Sequence, residues 1–339
     1  MKRDEYLDEL RKELIKADFP HVEEAMNYFS EMLDDRIADE NLDEEAAINM
    51  LEEPGKAAQN LAMQFDKTPG QAQKPEEQAE SSSPGVRTIT LNARAVRSIL
   101  IHDRNLKLVV EGWERDEIVV EHPETRKIRY DTRFEDGAFS LTRTPIEFSL
   151  DWFTIDPFSS QMRQVRLRVP HELAAVMDLK TSNAKITIEK INCWGKLDLL
   201  TSNGAIRLNE VGAKSLYIRT SNAGIVLEKV KVQKTVDAHT SNGKVMAEGV
   251  FAPESLVIKT SNGKIDVSSS DSPVFSFTTS NGPIHASLPG SQKEYSITSQ
   301  TSNSKNSLPY EQAGGPRSLF ARTSNGKIDV VFSGDPNPA

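Results

Sequence analysis

The fold is decided by the stretch Ile258-Lys259-Thr260-Ser261-Asn262-Gly263-Lys264-Ile265-Asp266-Val267. Apolar and polar residues alternate up to Thr260 and again from Ile265, with an Asn-Gly pair between the two runs. Strict alternation indicates strands that bury one face. Asn-Gly indicates a tight turn, for which we expect positive φ angles. The stretch is therefore predicted to be strand, turn and strand.

The Thr-Ser-Asn triplet at the centre of this stretch occurs eight times in 339 residues. Successive copies are 20, 19, 20, 20, 19, 22 and 22 residues apart, and Gly follows the triplet in five of them. A constant period of this length is the signature of a repeat protein. The triplet asparagines, which we expect to form structural turns, are Asn183, Asn203, Asn222, Asn242, Asn262, Asn281, Asn303 and Asn325.

A unit of about 20 residues holds two strands of about five residues, one tight turn and one looser connection. One unit cannot bury its apolar face, so units must stack. In a parallel β-solenoid the triplets would lie above one another and hydrogen-bond along the stack. The alternative is an antiparallel meander, which needs only the Asn-Gly of each hairpin. Repetition of the Thr and Ser favours the solenoid. The seventh triplet, at Thr301, is followed by Ser304 instead of Gly and by Asn306 where Ile is expected, and the spacing on both sides of it is wider. This suggests a bulged coil or an insertion.

The rest of the chain divides by composition into further segments. Residues 1–65 have the three- and four-residue apolar spacing of a small α-helical bundle, and residues 66–84 read as a flexible linker. Residues 85–335 are predicted to form the solenoid domain, with irregular capping strands in 85–170 and the repeats in 171–335. Gln164 to Pro170 alternates cleanly and is predicted to be the entry coil. An aromatic cluster at Trp152, Phe153 and Phe158 is either core or a binding groove.

Charge and cysteine content limit the cellular location and the class of partner that we expect. Residues 1–84 carry 9 basic and 22 acidic residues, a net charge of −13, which leaves +4 for the rest of a chain whose total is −9. The acidic helical segment suggests either docking on the basic remainder of the chain or an acidic face for a protein partner, and it argues against nucleic acid. The alternative is that the charged helix surface only confers solubility. Cys193 is the single cysteine, and the first residues lack a secretory h-region. We expect a cytoplasmic protein, with membrane association only through a partner; export by another route is the alternative.

No catalytic or metal motif is recognisable. The six histidines share no ligand spacing, and neither a phosphate-binding Gly loop nor a nucleophile elbow is present. His239 precedes a triplet, which we interpret as an ordinary solvent-facing histidine. A glycosidase would need paired carboxylates on neighbouring coils, but Asp266 and Asp329 lie three coils apart in the sequence. We therefore expect a non-enzymatic protein without a cofactor or metal.

Basic residues flank the triplets and would align along a stack at about 5 Å per coil. They could bind an anionic polymer, lipid headgroups or the acidic helical segment. The alternative is that they block lateral association of strands. This basic rail consists of Arg219, Lys259 and Arg322 before the triplet and Lys185, Lys244, Lys264, Lys305 and Lys327 after it.

Two stretches resemble known bacterial families. Tyr6-Leu7-Asp8-Glu9-Leu10, Phe29-Ser30-Glu31-Met32-Leu33-Asp34-Asp35 and Met50-Leu51-Glu52-Glu53-Pro54-Gly55-Lys56-Ala57-Ala58 resemble the HAAS family of helical signalling domains, although Glu52 and Glu53 replace a Gly and an Asp of its usual turn. The repeats resemble the adhesin-like β-repeat family of unknown function. The second resemblance implies a right-handed parallel β-helix. Together they imply an envelope-stress signalling or scaffold protein whose head binds a PadR-like regulator or a membrane-stress protein; an exported binder of an envelope polymer is the alternative.

Overall fold

The computed structural model describes residues 3–19, 53–65, 85–125, 128–144 and 164–335, together with isolated positions between 22 and 51. The chain divides into two compact units, one of Met1–Ser81 with Ile146–Pro157 and the other of Ser82–Pro145 with Phe158–Ala339. The predicted linker 66–84 and the aromatic cluster at Trp152, Phe153 and Phe158 lie outside the described residues.

The first unit has a helical core of its own. Helix α1 spans Arg3–Lys16 and helix α2 spans Pro54–Phe65. The predicted apolar stripe of α1 is buried at Tyr6, Leu10 and Leu14, and it packs in one cluster with residues of the following segment and of α2. Pro54 begins α2, as its fixed φ and missing N–H favour at the first position of a helix. Further members of the cluster are Phe19, Ala25, Met26, Phe29, Leu33, Ile48, Ala57 and Ala58.

The second unit is mainly β, and its successive repeats pair in parallel. Strand residues on one coil face their counterparts one repeat later, as in Ile265 beside Ile284 and Ile258 beside Phe277. This register confirms stacked coils and excludes the meander for the repeats, because hairpins would pair antiparallel. The inward residues of each strand form one continuous hydrophobic cluster from Val96 to Phe332. The handedness of the solenoid stays a prediction.

Two long sheets meet at the triplets. The post-triplet sheet contains β3 (Lys107–Trp113), β7 (Gln164–Pro170), β12 (Ile225–Val232), β14 (Val245–Glu248), β16 (Ile265–Ser268), β18 (Ile284–Leu288) and β22 (Ile328–Phe332). The pre-triplet sheet contains β2 (Ser98–His102), β6 (Ala138–Arg143), β9 (Val176–Lys180), β13 (Thr235–His239), β15 (Ser255–Lys259), β17 (Val274–Thr278), β19 (Tyr295–Gln300) and β21 (Arg317–Arg322). The strands β10 (Ile186–Leu200) and β11 (Ile206–Arg219) run through both.

Each regular coil also has a short third side, which the two-strand interpretation of the repeat lacked. Val211 to Ala213 on this side pair with Ile191 to Cys193 below and with Val230 to Val232 above. Before the short side the chain turns through one residue with positive φ. These residues stack at Lys190, Glu210, Lys229, Gly249 and Ser269, with φ of 56°, 56°, 53°, 66° and 50°.

The prediction of positive φ at the triplet turns was wrong. None of the five glycines that follow a triplet is among the residues with positive φ. They are needed for close approach instead: a Cβ on Gly263 would lie 1.7 Å from the carbonyl oxygen of Gly243 in the coil below. Stacking of backbones, rather than turn conformation, therefore requires glycine here.

At the amino-terminal end the coils do not stack in chain order. Strand β7, the predicted entry coil, pairs with β3, and β3 pairs with β10. The coil formed by β2 and β3 therefore lies directly below the first triplet coil, and the entry-coil prediction was wrong about the neighbour. Antiparallel strands close this end: β1 (Gly85–Asn92) pairs with β4 (Glu117–Glu124), which pairs with β7, and β5 (Tyr130–Glu135) pairs with β6. The two-residue strand β8 (Glu172–Leu173) pairs with β10.

The carboxyl-terminal end contains the same exchange. Strand β21 pairs with β17 on one side and with β19 on the other, so the eighth repeat lies between the sixth and the seventh. The seventh repeat is the outermost of the three, and β20 (Glu311–Gln312) pairs antiparallel with its strand. In place of the post-triplet strand of the regular repeats, the seventh repeat has the isolated bridge from Asn306 to Ile328.

Candidate functional site

The Thr, Ser and Asn of each triplet have different structural roles at the corner between the two sheets. Thr points inward, where Thr260 Oγ1 donates to the carbonyl oxygen of Gly243 in the coil below at 3.3 Å. Thr260 Oγ1 in turn accepts a hydrogen bond from the N–H of Gly263 at 3.1 Å. Seven of the eight triplet threonines are buried, all except Thr301, and these hydrogen bonds satisfy backbone groups that the corner would otherwise leave unpaired.

The eight triplet asparagines form one column of side-chain hydrogen bonds. Each Nδ2 donates to the Oδ1 of the asparagine in the coil below, over 2.6 to 2.8 Å, as from Asn262 to Asn242. The column follows the spatial order of the coils, so Asn325 bonds to Asn281 and Asn303 bonds to Asn325. At its lower end Asn183 bonds to Asn105, a ninth member that belongs to the coil of β2 and β3. In that coil, Asp103-Arg104-Asn105 takes the place of Thr-Ser-Asn.

A shallow groove follows the pre-triplet side of this corner. Its volume is about 530 Å³, and it crosses five consecutive coils. The serine hydroxyls of the triplets point outward into it and have no protein partner within residues 164–335. We call it the triplet groove; it is lined by Leu200, Thr201, Ser202, Arg219, Thr220, Ser221, His239, Thr240, Ser241, Lys259, Thr260, Ser261, Thr278 and Ser280.

The structure divides the basic rail into two rows on opposite sides of the triplets. Three lysines after the triplet are held by carboxylates: Lys244 and Lys264 both contact Asp266, at 3.3 and 2.8 Å, and Lys327 contacts Asp329 at 2.6 Å. The hydrogen bond from Lys264 is the largest cause of the lowered pKa of Asp266. Lys185 and Lys305 lie in the same row but form no salt bridge with the described residues.

The row before the triplet faces the triplet groove. Arg219, His239 and Lys259 are neighbours in register on β11, β13 and β15. His239 Nε2 lies 2.6 Å from Asp237 Oδ1. The pKa of Asp237 is lowered chiefly by this contact with His239 and further by the charges of Lys259 and Arg219. Within the described part of the chain, Arg219, Lys259 and Arg322 form no salt bridge. Arg322 continues the row on β21, separated from Lys259 by Thr278.

Comparison with known proteins agrees with this geometry. Residues 96–333 match the model of the Toastrack DUF4097 family. The chain belongs to that family. Among solved structures, the chain is similar to a "putative adhesin" from Parabacteroides merdae, 13% identical with a TM-score of 0.35, and to a "putative cell adhesion protein" from Clostridium sporogenes, 9% identical with a TM-score of 0.26. Each covers 74% of this chain, over 97% and 100% of its own length. None of the curated proteins matches the sequence.

The stacking order of this Toastrack DUF4097 protein changes the carboxylate spacing inferred from sequence. Asp266 pairs in register with His285, and His285 with Asp329, so the two acids are two layers apart instead of three. Two layers are about 9.6 Å, which is at the upper limit for an inverting glycosidase. However, hydrogen bonds from Lys264 and Lys327 lower the pKa of both carboxyls, whereas a general acid needs a raised pKa.

Within the residues that the structure describes, metal sites, a reactive cysteine and membrane-spanning helices have little support. No cluster of three or more His, Cys, Asp or Glu residues is arranged for a metal in 85–125, 128–144 and 164–335 or in the described helices. The Cys193 thiol is buried and donates to the carbonyl oxygen of Ala175 at 2.8 Å, and burial raises its pKa. Of the helices that the structure describes, none is long and apolar enough to cross a bilayer.

Proposed function

We propose that this chain is a non-enzymatic bacterial signalling or scaffold protein in which the solenoid is the recognition surface. The observation that carries the proposal is the triplet corner. Unpartnered serine hydroxyls recur there in register over five coils, and two of these coils add the unpaired cations Arg219 and Lys259, so one surface offers similar contacts repeatedly along a line. Such a repeated array suits binding to an extended partner better than it suits chemistry at a single point.

The helical unit is proposed to bind a protein partner. Asp4, Asp8 and Glu9 are exposed on the first half of α1 and give it an acidic surface, whereas Lys12 and Lys16 follow in the second half. With the resemblance to HAAS domains, this face supports contact with a PadR-like regulator or a membrane-stress protein. In this proposal the protein is cytoplasmic and reaches the membrane only through its partner.

The second candidate is an exported, adhesin-like binder of an envelope polymer. The triplet groove favours it, because an open groove with exposed hydroxyls and cations suits a long polar ligand. The two candidates differ in compartment, so fractionation of the producing cells separates them: protein outside the cytoplasmic membrane supports the adhesin.

The test of the signalling proposal is capture of partners by tagged full-length protein and by its variant Asp8→Lys/Glu9→Lys. We expect a regulator or membrane-stress protein to be cross-linked to the wild type and to be lost with the variant, because reversed charge repels a partner that binds an acidic face. Lys231→Glu/Lys234→Glu, on the solenoid, is the matched control with the same number of reversals. Loss in both variants, or in neither, contradicts a specific role for the helical face.

A further inference from the structure

We propose that the triplet groove binds a single extended strand of acidic polysaccharide, laid parallel to the solenoid axis, with Arg219 and Lys259 binding its carboxylates. The inference rests on the second candidate function, the exported binder of an envelope polymer, and names the class of ligand for it.

The shape of the groove selects a linear ligand. It follows the triplets from Thr201 to Ser280 over five coils, and coils repeat at about 4.8 Å. Its floor is formed by the triplet threonines and one wall by the serines, so every coil contributes the same outward hydroxyl. An occupant that uses this wall must repeat a hydrogen-bonding group at the coil spacing. A pyranose chain in extended form advances by a similar distance for each sugar and carries hydroxyls on each one.

The charges of the groove select an anion. Arg219 and Lys259 are two layers apart, about 9.6 Å, with His239 between them. Within residues 164–335 neither cation has a carboxylate partner, although three lysines across the corner are held by Asp266 and Asp329. The Asp237 carboxylate contacts His239 at 2.6 Å, and the charges of Lys259 and Arg219 act on it without forming a salt bridge. Cations two layers apart fit a polymer that carries a carboxylate on every second sugar or on every sugar.

Other anionic partners fit less well. The lining contains no tyrosine, tryptophan or phenylalanine, which single-stranded nucleic acids use as stacking platforms. Leu200 is the one large apolar side chain in the lining, so a lipid would find no place for its acyl chains. An extended acidic peptide places side chains of one face about 6.6 Å apart, which drifts out of register with the coils. A polysaccharide therefore matches the groove in period, hydroxyl content and charge together.

The experiment measures binding of polygalacturonate, and of oligogalacturonates of increasing length, to the full-length protein by titration calorimetry. The groove variant is Arg219→Gln/Lys259→Gln. The control is Lys244→Gln/Lys264→Gln, which removes the same charge from the opposite side of the same triplets. We expect the groove variant to weaken binding about tenfold or more and the control to change it by less than about threefold, because only unpaired cations are available to the ligand. Melting temperatures of both variants confirm folding.

Several outcomes would overturn the proposal: no binding of polygalacturonate by the wild type, equal losses in the two variants, or tighter binding of polyglutamate than of polygalacturonate at equal charge. Affinity should rise with oligomer length until the ligand spans the groove and then level off; an affinity independent of length also contradicts the model. Ser221→Ala/Ser241→Ala/Ser261→Ala separates sugar recognition from charge, since it should weaken the sugar polymer and leave polyglutamate unchanged. Capture of a partner by the helical face is unaffected by any of these results, so failure here differs from failure of the signalling proposal.

Discussion

From β10 to β18 the coils stack in the order in which they occur along the chain, whereas at both ends of the solenoid two coils exchange places. The β2–β3 coil lies between β7 and the first triplet coil, and the eighth repeat lies between the sixth and the seventh. The repeat sequence therefore specifies that a coil pairs in parallel and in register with a neighbour, but it does not specify which coil that neighbour is. At the ends, the neighbour is chosen by residues outside the repeat pattern.

The largest effect should follow from removing the eighth repeat. A chain that ends at Gly314 lacks β21 and β22, which form an inner layer, so the seventh repeat loses its parallel partner and the sixth loses its cover. We expect the melting temperature to fall by about 10 °C or more, or the protein to aggregate. A chain that ends at Asp335 is the control and should melt like the wild type. Hydrogen exchange checks the position of the eighth repeat. If the amides of the sixth and seventh repeats stay as protected in the Gly314 chain as in the wild type, the eighth repeat does not lie between them.

A side chain at a triplet glycine should be costly, because it would face the backbone of the coil below. Gly263→Ala places a Cβ 1.7 Å from the carbonyl oxygen of Gly243, so the two coils must move apart. We expect a loss of about 3 kcal/mol in the free energy of unfolding, measured by urea denaturation. Gly224→Ala is the control, since its Cβ would come no nearer than 3.0 Å to the carbonyl oxygen of Lys244, and it should cost about 1 kcal/mol or less. Similar losses for the two would contradict the packing argument.

The asparagine column gives a smaller contrast of the same kind. Asn262 donates to Asn242 and accepts from Asn281, whereas Asn303 donates to Asn325 and accepts nothing from a further triplet within residues 164–335. Asn262→Ala should lower the free energy of unfolding by about 1.5 kcal/mol and Asn303→Ala by about half as much. Equal values, from denaturation of the two variants, would mean that the column acts through local turn structure and not through bonds between coils.

The smallest effect concerns the lysine-paired carboxylates. Asp266 is held by Lys264 and Lys244, and Asp329 by Lys327. Because the pKa of Asp266 is lowered in the folded state, its contribution is present above the ordinary value of 3.8 and is lost as pH falls through the folded pKa. Asp266→Asn should cost about 0.5 kcal/mol at pH 7, since the pair is largely solvated, and nothing at pH 2. A cost that persists in acid would assign Asp266 a packing role.

The sequence predicted the coil well because its information is local. Alternation around Thr260 and the recurrence of the triplet are enough to infer strands, turns and parallel stacking. The positive-φ corner at Lys190, Glu210 and Lys229 was missed, since lysine and glutamate give no signal for that conformation. The coil of β2 and β3 was missed because Asp103-Arg104 replaces Thr-Ser; alignment of Asn105 with the triplet asparagines would have found it.

The candidate site was predicted in part. The basic residues beside the triplets were identified, but which of them are free depends on carboxylates in other coils, such as Asp266 beside both Lys244 and Lys264. That contrast between paired and unpaired cations exists only after stacking. The exchange of coils at the ends is likewise invisible in the sequence, since the triplet of the eighth repeat is as regular as that of the fifth.

The bond from each triplet glycine to its threonine has a consequence for the chemical ageing of the chain. Asn-Gly is prone to deamidation, in which the glycine nitrogen attacks the asparagine side-chain carbonyl carbon, ammonia leaves, and water opens the resulting succinimide to aspartate or isoaspartate. In the folded coils that nitrogen donates to threonine Oγ1 at 3.0 to 3.2 Å. Folded protein should therefore keep its asparagines for long periods, whereas chains that stay unfolded acquire carboxylates that lack the donor the column needs. Unfolded chains should therefore accumulate aspartate and isoaspartate over time, and we expect chains modified in this way not to re-form the asparagine column.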